Sequence, residues 1–242
     1  MNWHDRYSQQ ARWTSDLRAY LFDKAGLNEA RRVLEVGCGT GAILSSMTTP
    51  ASLHGLDLAA AALAEAKIHA PGAALVRGDA LALPYPDFTF DVTFCHFLLL
   101  WVRDPLQAAR EMARVTRPGG HVLALAEPDY SQRVDKPESL APLGKWQADA
   151  LHRQGADPSF GARLAETFAR AGIEVIETGT IQRSGKEASR EERENEWAVI
   201  ESDLAASVPG EDIQKMKALD EEAWASGERV LFVPTYFVRG KV

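Results

Sequence analysis

Glu35-Val36-Gly37-Cys38-Gly39-Thr40-Gly41 sets a carboxylate two residues before the first of three glycines spaced two apart. The apolar run just before it reads as a buried strand, and a helical pattern follows from Ala42. Glycines at such a turn permit positive φ and let a ligand lie against the main chain. A dinucleotide turn spaces its glycines G-x-G-x-x-G and offers helix amides to a pyrophosphate. The spacing here differs. Glu35 would repel a phosphate but accept hydrogen bonds from an ammonium group. Two further acids end apolar runs: Asp57 after 53–56, with Leu58 next, and Asp79 after 73–78, with Ala80 next. An acid at the end of a second strand suits the two ribose hydroxyls of an adenosine. One such acid alone reads equally as a helix cap, but three at successive strand ends point to one ligand. The chemistry indicated is the binding of a nucleoside that carries an amine.

The segment 31–44 resembles motif I of the class I methyltransferases that use S-adenosylmethionine (SAM). The resemblance continues through Leu83-Pro84-Tyr85-Pro86-Asp87-Phe88-Thr89-Phe90-Asp91-Val92 and through Arg117-Pro118-Gly119-Gly120 before an apolar strand. It covers 31–127 with specific motifs and looks like the small-molecule branch that includes the ubiquinone- and menaquinone-pathway enzymes. It implies an α/β Rossmann-like fold: a seven-stranded, mostly parallel sheet with an antiparallel last strand, helices on both faces, an N-terminal helix and a helical insertion. It implies SAM as cofactor, held by Glu35, Gly37, Cys38, Gly39, Gly41, Asp57, Leu58, Asp79, Ala80 and Cys95. In the family an N-terminal helix often folds over the cofactor, so Arg12 becomes a candidate partner for the SAM carboxylate and Trp13 or Tyr7 a cover for the methionine arm.

The elements that must position these groups can be placed. Residues 59–70 are alanine-rich and read as a helix. Asp104 and Pro105 read as N-cap and first residue of a helix running to about 117. Residues 139–153 read as another helix, and Asp157-Pro158 opens one that ends at Gly172. Residues 173–181 form the sixth strand, 186–227 two helices broken near Pro209-Gly210, and 229–238 the last strand, where Pro234 requires a bulge or bend. The expected organisation is a single domain over 1–242, with a helical cap at 1–30, a cofactor core at 31–127, and helical substrate or lid segments at 128–158 and 186–227.

Composition narrows the classes. Residues 186–222 hold twelve acids and five bases, which accounts for the whole net charge of −7. The remainder is near neutral, so no basic stripe is left to track a nucleic-acid backbone. No apolar run spans a bilayer and no leader-like apolar core begins the chain, so a cytoplasmic protein without a membrane partner is expected, as monomer or homodimer. Two cysteines are too few for a disulfide framework.

Methyl transfer from SAM needs alignment and exclusion of water more than acid–base groups. The candidate base is His96, directly after the fourth strand, with Tyr130, His152 and Glu127 as weaker ones. Phe97, Leu98, Leu99, Leu100 and Trp101 imply an apolar acceptor pocket, so the substrate candidates are Tyr7, His96, Trp101, Tyr130 and His152. The chain lacks the Asn/Asp-Pro-Pro-Tyr of amino methyltransferases after strand four. It has no acid cluster for a metal, although Asp129 stands where one ligand would. The expected function is methylation of a small aromatic or heterocyclic molecule. The alternatives are SAM binding without methyl transfer, or a nicotinamide oxidoreductase.

Overall fold

The computed structural model describes residues 3–181 and 189–242. The first helices are α1 (Trp3–Trp13) and α2 (Ser15–Lys24). The strands β1 (Arg32–Val36), β2 (Ser52–Asp57), β3 (Ala74–Arg77), β4 (Phe90–Cys95) and β5 (Thr116–Pro128) follow, with α3 (Ala60–His69) and α4 (Pro105–Val115) among them. Then come β6 (Val134–Lys136), α5 (Ala141–Arg153), α6 (Leu164–Arg170), β7 (Glu174–Ile181), α7 (Arg190–Leu204), α8 (Gly210–Ser226), β8 (Val230–Phe232) and β9 (Thr235–Lys241).

Seven strands form one sheet in the order β3-β2-β1-β4-β5-β9-β7. The first five run parallel, and β9 lies antiparallel between β5 and β7. Alternation builds the two faces. Leu34, Val36, Val122 and Ala124 pack with Met112 of α4 and Phe168 of α6. Val33, Val92, Phe94, Leu123 and Leu125 pack with Leu21 and Phe22 of α2. Central strands covered on both faces read as continuous apolar runs, and β4 is buried along its whole length. A separate cluster joins Leu143 of α5 to Trp197 and Ile200 of α7 and Ile213 of α8.

Four expectations are corrected. The helix after the glycine turn is one 3-10 turn, Leu44–Ser46. Ser45 and Ser46 hydroxyls donate to the carbonyls of Ala42 and Ile43, and Pro50 prevents extension. The helix opened by Asp104 ends at Val115, and β5 starts at once with Thr116, so the Pro-Gly-Gly turn lies inside a bent strand. After Asp157-Pro158 the chain makes a 3-10 turn first, and α6 begins only at Leu164. The last strand is two: β8 pairs with β6 in a ribbon, and Pro234 separates it from β9. Pro234 has no N–H for a ladder, and its carbonyl accepts from the Asp129 amide at 2.8 Å. The start of the acidic hairpin, 186–188, lies outside the described residues; from Ser189 it is a capping box with Glu192 leading into α7.

Candidate active site

The glycine turn leaves β1 with Gly37 and Gly39 at φ +74° and +51°. A Cβ on Gly37 would sit 2.7 Å from the Leu98 side chain, and one on Gly39 would press on the Tyr7 ring at 3.2 Å. Glycine is therefore required by both backbone angle and close cover. Asp57, at the end of β2, ties the turn down: its carboxylate accepts from the amides of Gly39 and Ala59, each at 2.8 Å. Each oxygen keeps a lone pair for a further donor.

A cavity of ≈ 430 Å³ opens above this turn, within the usual size range for small-molecule sites. Glu35, the glycine turn and Asp57 form its floor. Trp3, Arg6, Tyr7 and Gln10 of α1 line it, a 3/4 spacing that puts them on one helical face. His96, Phe97, Leu98 and Trp101 line it from the segment after β4, with Tyr130, Gln147 and Leu151 beyond.

Glu35 is only 3% exposed, and its Oε2 has no hydrogen-bond partner among the described residues. Burial pushes its carboxyl well up, against the opposing pull of the Arg18 guanidinium. Arg18 is itself buried. It donates to the Ala11 carbonyl at 3.0 Å and keeps an unpartnered Nε. A buried acceptor without a donor, in a cavity wall, fits a ligand that brings N–H or O–H groups. The ammonium end of SAM meets that requirement, and the free lone pairs of Asp57 suit ribose hydroxyls.

The segment after β4 is shaped by Glu127. Its completely buried carboxylate accepts from the amides of Leu98, Leu99 and Leu100 at 3.0, 3.0 and 3.2 Å. Burial pushes it up to about 7 despite those three donors. Phe97, just before, takes φ +52°, a strained value for a bulky side chain. His96 Nε2 lies 3.1 Å from the Thr14 hydroxyl. Burial, helped by Arg18, holds the imidazole down at about 3. It is neutral near pH 7 and a weak proton acceptor there.

The structure brings Tyr7, Glu35, Gly37, Cys38, Gly39, Asp57, His96, Trp101 and Tyr130 into one cavity. Other candidates fall elsewhere. Arg12 is exposed on α1, off the face formed by residues 3, 6, 7 and 10. Trp13 lines a second cavity of ≈ 170 Å³ instead. His152 is exposed on α5, whose inner face carries Leu143, Gln147 and Leu151. Gly41 packs on Ala66 of α3. Cys95 is buried beside Glu127, and Ala80 belongs to the core with Leu56 and Leu83. Leu58 and Asp79 are exposed and outside the cavity lining; Asp79 accepts from the Leu81 amide. Asp129 is used internally, by Ser131, Gln132 and the Ala162 amide. The sequence reading missed Arg6, Gln10, Arg18 and Gln147. For Arg6 and Gln10 the signal was available, in their 3/4 spacing with Trp3 and Tyr7.

A family model described as "Methyltransferase domain" matches residues 34–124. The demethylmenaquinone methyltransferase of Lysinibacillus sphaericus is 33% identical over 184 residues, 68% of this chain and 77% of that protein. The chain belongs to the class I SAM-dependent methyltransferases, whose methyl donor is SAM. The malonyl-[acyl-carrier protein] O-methyltransferase of Halorhodospira halophila is 39% identical over 99 residues, 38% of this chain and 34% of that protein. The match spans about a third to a half of the length of several such relatives. A candidate methyltransferase of Bacillus halodurans shares the fold with a TM-score of 0.64 at 16% identity, covering 92% of this chain and 97% of that one. Among the described residues no helix is long and apolar enough to cross a membrane.

Proposed function

We propose that this chain transfers a methyl group from SAM to a small aromatic or heterocyclic acceptor. The observation that carries the reading is the unpartnered, buried Glu35 Oε2 in the wall of the ≈ 430 Å³ cavity. In this reading Glu35 receives the ammonium of the amino-acid end. Asp57 receives the ribose hydroxyls. Bound SAM supplies a methyl carbon activated by its sulfonium. The chain aligns the acceptor and keeps water out, the larger part of what such a displacement needs. The face of α1 that carries Tyr7 covers the turn, and Phe97 and Tyr130 stand where the acceptor enters. His96, held at about 3, orients the acceptor through a hydrogen bond rather than removing its proton. One polypeptide domain does all this, as a monomer or homodimer without nucleic acid. A reducing, cytoplasmic setting accords with two buried free thiols, Cys38 and Cys95.

Calorimetric titration of SAM and S-adenosylhomocysteine into wild type and Asp57→Ala tests the cofactor half. The variant loses charge-assisted hydrogen bonds worth about 1.5–3 kcal/mol each, so at least a roughly tenfold weaker Kd is expected. An unchanged Kd refutes the placement. Transfer of label from SAM to a panel of small aromatic acceptors tests the reaction. Retention of SAM without transfer to any of them would favour a binding role.

A further inference from the structure

Helix α5 packs against the 3-10 turn Tyr130–Gln132 that follows β5. Gln147 of α5 and Tyr130 therefore line the glycine-turn cavity together, along with His96, Phe97 and Trp101. The same two side chains also border the second cavity, which the indoles of Trp13, Trp197 and Trp224 line.

Gln147 is 3% exposed, and its amide oxygen accepts from the Arg133 guanidinium. A guanidinium can only donate, so the oxygen must face Arg133 and the NH₂ must turn away from it. Arg133 is itself fixed. Its other arms donate to the two oxygens of the buried Asp135 at 2.7 and 2.9 Å, and Asp135 also receives Arg229 at 2.7 Å. A satisfied buried network of this kind holds the amide in one orientation. The NH₂ that it presents makes no hydrogen bond among the described residues. A buried donor left open in a cavity wall calls for an acceptor from a ligand.

Tyr130 supplies a second donor. Its backbone amide donates to the Pro158 carbonyl at 2.7 Å, and Asp129 before it is held by Ser131, Gln132 and the Ala162 amide. Its hydroxyl makes no hydrogen bond among the described residues. Burial, with the Glu196 carboxylate, pushes the phenol up to about 12, so it keeps its proton and donates. Neighbouring polar groups are already engaged. Arg6 donates twice to Glu196, Gln154 donates to the half-buried Asp203 at 2.9 Å, and His96 has Thr14.

A carbonyl oxygen has two lone pairs and no proton of its own, so it can take both donors. A hydroxyl in the same place brings a third proton to a wall that already offers two. We propose that Gln147 and Tyr130 select the methyl acceptor by a carbonyl oxygen on its ring, with Arg133 as the positioning residue that turns the Gln147 amide. A ring held this way shares one cavity with the glycine turn and His96. The assignment to the methyl acceptor rests on the methyltransferase reading above; the carbonyl preference does not.

The test is equilibrium dialysis of the full chain against 1-tetralone, 1-tetralol and tetralin, with and without saturating S-adenosylhomocysteine. Wild type should retain 1-tetralone about fivefold more strongly than 1-tetralol, and S-adenosylhomocysteine should not displace it. Tyr130→Phe breaks no protein hydrogen bond, and Gln147→Glu keeps an oxygen for Arg133 while losing the NH₂. Each should weaken 1-tetralone about fivefold, the worth of one neutral hydrogen bond, and leave tetralin within about twofold. Should one variant fail to fold, the other carries the comparison. The infrared carbonyl stretch of bound 1-tetralone should lie below its position in hexane and rise in each variant. The proposal is overturned if wild type retains no 1-tetralone, or retains 1-tetralol as strongly. It is also overturned if the variants weaken tetralin equally or leave the stretch unmoved. Displacement by S-adenosylhomocysteine overturns the assignment to the methyl acceptor. Failure of S-adenosylhomocysteine to bind overturns the cofactor reading and leaves the ketone comparison standing.

Discussion

Glu127→Gln isolates a single buried ionisation. The wild-type carboxyl is held at about 7 rather than its ordinary 4.5, and burial is the main cause. A carboxyl raised on folding favours the fold while protonated. Its contribution is fully present below about pH 4.5 and is lost as pH rises through 7. At about 1.4 kcal/mol per pH unit this amounts to about 3 kcal/mol. Glutamine cannot ionise. It keeps one oxygen for the Leu98 and Leu99 amides but turns an NH₂ toward the Leu100 amide, a loss of about 1–3 kcal/mol that does not depend on pH. The variant should therefore be less stable than wild type at pH 5, and the gap should close by about 3 kcal/mol by pH 8. Urea unfolding at pH 5, 6, 7 and 8 in one buffer system reads this. The difference between the two proteins is the quantity to plot, because His96, held at about 3, stabilises the fold increasingly between there and its ordinary 6.5 and runs against Glu127 in the wild-type curve. A gap that stays constant refutes the reasoning. That constancy would show that the three amides outweigh burial and keep Glu127 ionised across the whole range.

Gly37→Ala places a side chain at positive φ and 2.7 Å from Leu98; a cost of about 1–2 kcal/mol from the backbone alone should lower Tm by about 2–8 °C, and an unchanged melt would contradict the described turn. Because His96 is neutral throughout the physiological range, kcat/KM should show no inflection near pH 6.5; an inflection that His96→Gln removes would restore the base role. Arg12→Ala should leave the Kd for SAM within roughly twofold, whereas Arg18→Met should weaken it about tenfold or more by leaving Glu35 buried without its counter-charge. The same loss in both variants, by calorimetry, would mean that α1 sits differently over the cavity.

The parts of the site legible in the sequence are those whose chemistry is local. A carboxylate and three glycines within seven residues must share one turn, and an acid ending an apolar run must stand at a strand's carboxyl end. The alternation of Leu34 and Val36 against Val33 already separates the two faces of the sheet. What was not legible comes from the packing of distant segments. Arg12 is a candidate because a guanidinium suits a carboxylate, but helical phase leaves it exposed, and a break at Thr14 starts a new helix whose inward face carries Arg18. Glu127 has the appearance of a candidate base until the amides of 98–100 are seen to converge on it. Serines after the glycine turn were read by hydrophobic spacing, while their hydroxyls compete for the backbone and stop the helix at one turn. The indole-lined cavity needs α1, α5, α7 and α8 together, and no single stretch of the chain announces it.

The place of β9 bears on how the molecule is made. Among the described residues β7 joins the sheet only through β9, and residues 182–234 intervene between them in the chain. A ribosome delivering this protein releases β1 to β5 as a unit that can already collapse, then β7, which has nowhere to dock until β9 emerges. During that interval β5 and β7 present unpaired backbone to whatever is near, the condition under which strands join the wrong partners. Any ribosomal pause or frameshift between 182 and 234 therefore prolongs or makes permanent a chain whose cofactor half is built but whose sheet is open along one edge. Such products would be found with chaperones and proteases rather than as soluble, half-active enzyme.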